Sequence, residues 1–224
     1  MVEIARNPKQ TALLVIDMHR GHLDPELATM PIDTAWAKEI LSNTKVFLKG
    51  ARAIGMKVIY VVMQSRVNHE GLPVDSLTNV NPYSRWRLEQ GKLPKTTRSH
   101  NLEGSVQTQI MPEIEPLPGE YIVVKRRYSA FYSTDLELLL RCLQINTLAV
   151  AGVNTNNCVT ATTVDGNNRD YAMIVLSDCV ASRNGRHLHE IALELIGTTY
   201  GWVMTSKDVL RLMESKTGSL QSKK

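Results

Sequence analysis

The chain has 224 residues, which suits one large domain or two small ones that need no disulfide or metal to hold a core together. Hydrophobic residues make up 43% of the chain and charged residues 21%, an ordinary balance that argues against a disordered or membrane-spanning class. The net charge is +4 and no dense basic run lies before the tail, which argues against nucleic-acid binding.

The three cysteines are an odd and sparse set without a CxxC pair, which favours a reducing compartment over a disulfide framework. The first ten residues, MVEIARNPKQ, lack the apolar core of a signal peptide. No stretch approaches the roughly 20 apolar residues that cross a bilayer. We therefore expect a cytoplasmic protein that has neither membrane nor nucleic-acid partners.

Short apolar runs alternate with longer segments of helical periodicity along the chain. In chain order the pattern predicts a strand at 11–17, a helix at 34–55, strands at 56–63 and 121–125, a helix at 134–143, a strand at 147–152, a helix at 156–169, a strand at 172–178, a helix at 187–197, a strand at 200–205 and a last helix near 206–215. This alternation, with strands rich in Val, Ile and Leu, predicts an α/β fold whose parallel sheet is covered on both faces.

Residues 64–120 interrupt this alternation and are rich in Pro, Asn, Arg and Gly. Loops of this length usually cover or line a functional site. There is no internal repeat and no low-complexity block, so we expect residues 1–224 to form a single domain. Its last residues, 215–224, are polar and are expected to form a frayed tail.

Three chemically active side chains lie where predicted strands end. In open parallel sheets, ligands bind beyond the carboxyl ends of the strands. Asp17 follows the first strand, Lys125 ends the third, and Cys158 opens the helix after the fourth. A thiol at a helix N-terminus beside an ammonium is favoured as thiolate, and a carboxylate can move its proton to a leaving amine. The alternative interpretation is structural: a core cysteine, a capping aspartate and a solvated lysine.

Three segments, LLVIDMHRGHLD, YIVVKRRYSAFYSTDLELLLR and LAVAGVNTNNCVTATTVDGNNRDY, together resemble the isochorismatase-like cysteine hydrolase superfamily. The resemblance runs in order over residues 11–205, nearly the whole chain. It implies a three-layer α/β/α fold with a doubly wound six-stranded parallel sheet in the order 3-2-1-4-5-6. It also implies a homodimer or a homotetramer.

The same resemblance implies roles for the three side chains. Asp17 would be the general acid and base, Lys125 the charge that supports the thiolate, and Cys158 the nucleophile. The family pattern also implies a cis peptide between Val153 and Asn154. The backbone N–H groups of Asn154 and Cys158 would then form the oxyanion hole.

Departures from the family pattern narrow the function. Nicotinamidases carry an Asp-x-His…His metal set after the second strand, whereas the segment MQSRVNHEG has His69 without a matching Asp. We therefore expect no metal and no other cofactor, and a substrate other than nicotinamide. Some isochorismatases that cleave a vinyl ether lack the cysteine, so Cys158 favours hydrolysis of a carbon–nitrogen bond. At a further departure, His19 stands where many members have Gln.

The segments KRRYSAFYSTDLELLLR and YGWV look closest to the branch of ureidoacrylate, N-carbamoylsarcosine and biuret amidohydrolases. We therefore predict a cysteine-dependent amidohydrolase that cleaves a small linear amide or ureido compound and releases ammonia through a thioester. The alternatives are vinyl-ether hydrolysis of the isochorismatase type and a non-catalytic homologue that binds a small molecule.

Arginine and aromatic side chains near the strand ends are candidates for substrate contacts, because a guanidinium matches a carboxylate in two hydrogen bonds and rings line pockets. The candidate substrate-binding residues are His19, Arg66, Tyr83, Arg87, Tyr128 and Phe131. Each has an ordinary alternative role as a surface, ion-paired or core residue.

Overall fold

Six parallel strands form one sheet in the computed structural model, which describes residues 7–221 and the side chains of residues 7–214. The strands are β1 (Thr11–Ile16), β2 (Lys57–Met63), β3 (Tyr121–Lys125), β4 (Thr147–Val153), β5 (Ala172–Ala181) and β6 (Trp202–Met204). Their spatial order is β3-β2-β1-β4-β5-β6, and every neighbouring pair is parallel. The predicted doubly wound sheet is therefore confirmed.

Helices cover both faces of this sheet. They are α1 (Arg20–Leu23), α2 (Thr34–Ala53), α3 (Leu77–Val80), α4 (Pro82–Glu89), α5 (Leu136–Cys142), α6 (Thr160–Asn167), α7 (Arg186–Leu195) and α8 (Ser206–Gln221). Helix α8 continues past its predicted end near 215, and residues 222–224 of the predicted tail lie outside the described residues. Among residues 7–221, no helix has both the length and the apolar character needed to cross a membrane.

The core consists of two apolar layers, one on each face of the sheet. In β1, Leu13 and Val15 belong to the layer under α2 and α8, whereas Leu14 and Ile16 belong to the layer under α5. Burying each such side chain contributes about 1.5–3 kcal/mol relative to leaving it in water. Because both faces are buried, β1 is apolar at every position after Thr11 and lacks the alternation of a half-exposed strand.

Helix α2 has a clear start and stop. The Asp33 carboxylate accepts a hydrogen bond from the Trp36 N–H at 3.0 Å and so caps the first turn. At the other end, Gly55 adopts φ +79°, a left-handed conformation that glycine takes without steric cost. These two signals place α2 within the predicted 34–55 segment.

The long segment between β2 and β3 contains short helices that the periodicity did not predict. Helix α4 begins with Pro82, and the Asn81 side chain accepts from the Ser84 N–H at 2.9 Å. None of its side chains is buried. A helix without a buried face has no apolar repeat, so the sequence pattern offered no signal for it.

Strand β5 is longer than predicted and continues to Ala181. Its pairing with β4 shifts register between Val150 and Gly152, so the strand carries an irregularity near its end. The predicted strand ended at Asp178, whose carboxylate is unusual within a sheet. Here both carboxylate oxygens accept hydrogen bonds from Ser206, each at 2.7 Å. The edge of the sheet therefore lies three residues further along the chain.

Candidate active site

Asp17 lies directly after β1 and is 1% exposed. Its backbone N–H donates to the Val61 carbonyl at 2.8 Å, and its Oδ1 accepts from the Met63 N–H at 2.8 Å. It adopts φ +52°, a conformation that costs an ordinary residue about 1–2 kcal/mol. The two bonds to β2 hold the backbone there and leave Oδ2 directed at the next member of the site.

Lys125 ends β3 and is fully buried. Its Nζ lies 2.8 Å from Asp17 Oδ2, 3.1 Å from the Arg127 carbonyl oxygen and 3.3 Å from Cys158 Sγ. The contacts with the Arg127 carbonyl oxygen and Cys158 Sγ are hydrogen bonds from the ammonium, and the contact with Asp17 Oδ2 is an ion pair. The side chain therefore joins the carboxylate and the sulfur through one cation.

Cys158 lies in a π-helical turn, Thr155–Val159, that follows β4 and leads into α6. The predicted helix over 156–169 thus begins with a wider turn than an α-helix has. The thiol is 4% exposed, and the Val153–Asn154 peptide before the turn is cis. The Asn154 side chain accepts from the Arg183 N–H at 2.8 Å, which ties this turn to the end of β5.

The charges of the three groups depend on one another. Burial is the largest influence on Asp17 and opposes its ionisation, but the neighbouring groups, the Lys125 ammonium foremost, together hold the pKa of this carboxyl below its usual value. Burial, again the largest influence, opposes the charge on Lys125, yet Asp17 and Cys158 together hold the pKa of the ammonium above its usual value. Burial, reinforced by the charge of Asp17, raises the pKa of Cys158 to about 12.

The resting site is therefore an ion pair beside a neutral thiol, which differs from the thiolate expected from the sequence. That expectation took into account the helix N-terminus and Lys125, both of which favour the thiolate. It did not take into account that burial removes water from around the sulfur. Desolvation and the negative charge of Asp17 both act against a second anion in this space. A thiol in this position needs a base to ionise it, and Asp17 is the carboxylate in contact with Lys125 beside it.

A cavity of about 660 Å³ opens onto this group, and both Asp17 and Cys158 line it. Among the predicted substrate-binding residues, the structure places Tyr83, Arg87 and Tyr128 in its wall. Helix α4 supplies two of these and Tyr128 follows β3. The segment between β2 and β3 thus covers the site, as its length suggested.

Positive charge dominates the cavity. Arg87, Lys92 and Arg183 line it, and Asp17 is the one acidic side chain among the described residues that do so. Within residues 7–214, neither arginine forms an ion pair with a carboxylate. Burial, and then repulsion by Arg87, lowers the pKa of Arg183. Two like charges that have no carboxylate partner among the described residues make the cavity suited to an anion.

The other three predicted substrate-binding residues do not line the cavity. Arg66 is exposed and forms an ion pair with Asp75 at 3.0 Å. Phe131 is a core residue whose ring stacks on Tyr171 with centroids 5.8 Å apart. His19 is completely buried behind the cavity wall. Each takes the ordinary alternative role that a side chain of its type has in most proteins.

Sequence reasoning missed Arg183, His22 and His100, all of which line the cavity. Arg183 follows β5 at the edge of the sheet. The sequence pattern ended that strand at 178, so it did not place Arg183 at a strand end. His22 lies in the LLVIDMHRGHLD segment, where the resemblance singled out His19 and gave no signal for His22. His100 lies in the loop-rich segment, whose path no local pattern specifies.

Comparison with known proteins was consistent in sequence and in fold. Residues 11–208 match the isochorismatase domain family. The ureidoacrylate amidohydrolase RutB of Pantoea ananatis (strain LMG 20103) is 30% identical over 203 residues, covering 89% of this chain and 80% of the relative.

Two solved structures have the same fold. A cysteine hydrolase from Pseudomonas syringae pv. phaseolicola 1448A superposes with a TM-score of 0.75 at 26% identity, covering 94% of this chain and 95% of that one. The N-carbamoylsarcosine amidase from Thermoplasma acidophilum gives a TM-score of 0.68 at 26% identity, covering 88% and 96%. The chain therefore belongs to the isochorismatase domain family of hydrolases, in the branch that includes these amidohydrolases.

Proposed function

We propose that the protein is a cysteine-dependent amidohydrolase that cleaves a carbon–nitrogen bond of a small linear amide or ureido acid. The relatives named as amidohydrolases support this class of reaction. The observation that carries the proposal is the contact of Lys125 with both Asp17 and Cys158 at the wall of a cavity that also contains Arg87 and Arg183. The two arginines support a carboxylate on the substrate.

In the proposed mechanism, Asp17 accepts the thiol proton as Cys158 Sγ attacks the substrate carbonyl carbon. Lys125 compensates the negative charge that this transfer leaves on sulfur. The backbone N–H groups of Asn154 and Cys158 hold the carbonyl oxygen as it becomes an oxyanion. Asp17 then protonates the leaving nitrogen, the carbon–nitrogen bond breaks, and ammonia departs. A water molecule that gives its proton to Asp17 cleaves the thioester and restores the thiol.

The raised pKa of Cys158 is compatible with this sequence, because proton transfer to Asp17 accompanies the attack and needs no resting thiolate. The ion pair with Lys125 keeps Asp17 charged and therefore able to accept a proton. Vinyl-ether hydrolysis, the alternative, would give the thiol no role. A non-catalytic homologue would bind the same acids without releasing ammonia.

The test is an ammonia-release screen over ureido acids, biuret, maleamate and nicotinamide. We expect release from a ureido acid or an amide acid and none from the Cys158→Ser protein, whereas Cys142→Ser, at an exposed cysteine, retains activity. Asp17→Asn is expected to lose most activity because the proton acceptor is gone. An acyl adduct on Cys158, trapped by acid quench and detected by mass spectrometry, would identify the thioester. Full activity of Cys158→Ser would refute the proposal.

The carboxylate site has its own test. Arg183→Met is expected to raise KM for a carboxylate-bearing substrate by about tenfold or more, because a charge-assisted hydrogen bond contributes about 1.5–3 kcal/mol. Arg66→Met is the matched control, since Arg66 already pairs with Asp75 outside the cavity. Equal effects of the two changes would argue against an anion site at Arg183.

A further inference from the structure

Three histidines that the mechanism leaves unused pack together beside the cavity. The ring of His22 lies 5.0 Å from that of His19 and 4.6 Å from that of His100, measured between centroids. His22 and His100 line the cavity, and His19 lies behind them. Among the described residues, no group of three His, Cys, Asp or Glu side chains has an arrangement that would hold a metal ion. The cluster therefore needs another explanation.

The hydrogen bond of His22 determines which of its nitrogens is free. Nδ1 lies 2.8 Å from the Met30 carbonyl oxygen, and a carbonyl oxygen only accepts, so Nδ1 carries the proton. Burial lowers the pKa of His22, which keeps the ring neutral. Nε2 is then a bare lone pair, and within residues 7–214 no protein group is hydrogen-bonded to it. The side chain thus presents an acceptor to the cavity.

The neighbours hold this ring in place. His19 stacks on it with an interplanar angle of 23°. His100 meets it edge-on at 64°, and its own Nδ1 lies 2.6 Å from Thr29 Oγ1. Rings on two sides fix the plane of His22, and the Met30 carbonyl fixes its tautomer. A preorganised acceptor of this kind binds with little loss of side-chain entropy.

The acceptor complements a cavity in which, among the described residues, every charged side chain apart from Asp17 donates. Arg87, Lys92 and Arg183 carry only N–H donors, and they suit the carboxylate end of a substrate. A ureido acid differs from an amide acid of the same length in one respect, because an N–H replaces the methylene next to the carbonyl. An imidazole lone pair is able to accept from that N–H and gains nothing from a methylene.

We propose that His22 is a specificity-determining residue whose Nε2 accepts a hydrogen bond from the N–H next to the scissile carbonyl, so that the site selects ureido acids over amide acids. The proposal rests on the proposed function for the class of substrate. Bound amide acids leave the Nε2 lone pair in contact with a methylene and without a partner. Sites built around a polar group reject analogues that lack the matching group, because the protein group is then left unpaired.

The test compares two molecules of nearly equal shape, 3-ureidopropanoate and glutaramate, by isothermal titration. The Cys158→Ser protein is used, so binding is measured without turnover. With His22 present, we expect 3-ureidopropanoate to bind at least about tenfold more tightly, as one well-placed hydrogen bond implies. Equal affinity for the two compounds, or no binding of either, would overturn the proposal.

A substitution assigns that preference to His22. His22→Phe retains a flat ring between His19 and His100 but removes the acceptor, and it is expected to bring the affinity ratio close to one. If circular dichroism shows that the phenylalanine variant does not fold, His22→Leu replaces it, and the affinity ratio is again expected to be close to one. His69→Phe is the control, because that imidazole is 89% exposed, and it is expected to keep the ratio. A ratio unchanged in a folded His22 variant would refute the assignment.

The outcome is separable from that of the proposed function. Ammonia release by the unmodified protein reports on catalysis, whereas the affinity ratio reports on His22. Selective binding of 3-ureidopropanoate without any ammonia release would uphold the role of His22 and reject the amidohydrolase proposal. Ammonia release from both compounds, with equal affinity for them, would do the reverse.

Discussion

Lys125 offers the sharpest test of the electrostatic argument, because it is a completely buried cation whose ammonium contacts one carboxylate. The perturbation is Lys125→Met, which keeps an unbranched side chain and removes the charge. It removes the 2.8 Å ion pair with Asp17, the 3.3 Å contact with Cys158 Sγ and the 3.1 Å hydrogen bond to the Arg127 carbonyl. Asp17 is then a buried carboxylate without a compensating charge.

The expected loss of unfolding free energy at neutral pH is about 3–5 kcal/mol, the usual cost of removing one partner of a buried pair. In the unmodified protein the pKa of Asp17 is lowered, so its contribution is present above the unfolded pKa and disappears as pH falls through the folded one. Without Lys125, burial raises that pKa instead. The pH dependence that Asp17 gives to stability therefore reverses: the stability of the variant declines as pH rises through the raised pKa.

The assay is urea unfolding followed by circular dichroism at pH 5 and pH 8. The deficit of Lys125→Met should be larger at pH 8, and the double variant Asp17→Asn/Lys125→Met should recover most of it because neither charge remains. Lys49→Met, at an exposed position on α2, is the control and should stay within about 0.5 kcal/mol. A deficit below about 1 kcal/mol, or one equal at both pH values, would refute the reasoning.

Three further outcomes follow from the geometry. Gly152→Ala should lower the free energy of unfolding by more than about 3 kcal/mol, since φ is +138° and a Cβ would lie 2.1 Å from a backbone oxygen of β1. Gly55→Ala is the control, because Gly55 has φ +79° but faces open space, and it should lower it by about 1–2 kcal/mol. Equal losses for the two variants would contradict the steric argument. Iodoacetamide at pH 7 should label exposed Cys142 before Cys158, because the pKa of Cys158 is raised to about 12; peptide mass spectrometry showing the opposite order would disprove it. Tyr60→Phe should lose about 1–2 kcal/mol in urea unfolding, because its hydroxyl donates to the Ile114 carbonyl at 2.7 Å; it should keep its activity, because Tyr60 does not line the cavity.

The sheet was predictable because burial on both faces leaves a clear trace in sequence. Strands such as β1 and β4 are buried from end to end and contain no polar side chain after their first residue, and helical segments follow most of the strands. Features that depend on a hydrogen bond to a residue far along the chain leave no pattern in the local sequence. Asp178 sits within β5 because Ser206, nearly thirty residues later, satisfies its carboxylate, and no local pattern contains that information.

The same distinction separates the site residues. Asp17, Lys125 and Cys158 were found because strand order places the ends of β1, β3 and β4 at one edge of the sheet. Side chains that reach the cavity from elsewhere depend on the path of a loop. Composition alone could not separate Arg66, which pairs with Asp75, from Arg183, which faces the cavity without an acidic partner among the described residues.

Helix α4 contributes Tyr83 and Arg87 to the cavity, yet it buries none of its own side chains. Replacing residues on this helix therefore removes little from the packed layers that hold the sheet together. If the proposed function holds, the three catalytic side chains and the residues that choose the substrate lie on parts of the chain on which folding depends to different degrees. We therefore expect laboratory evolution aimed at α4 to change which acid is accepted without disturbing the sheet or the three side chains at its edge.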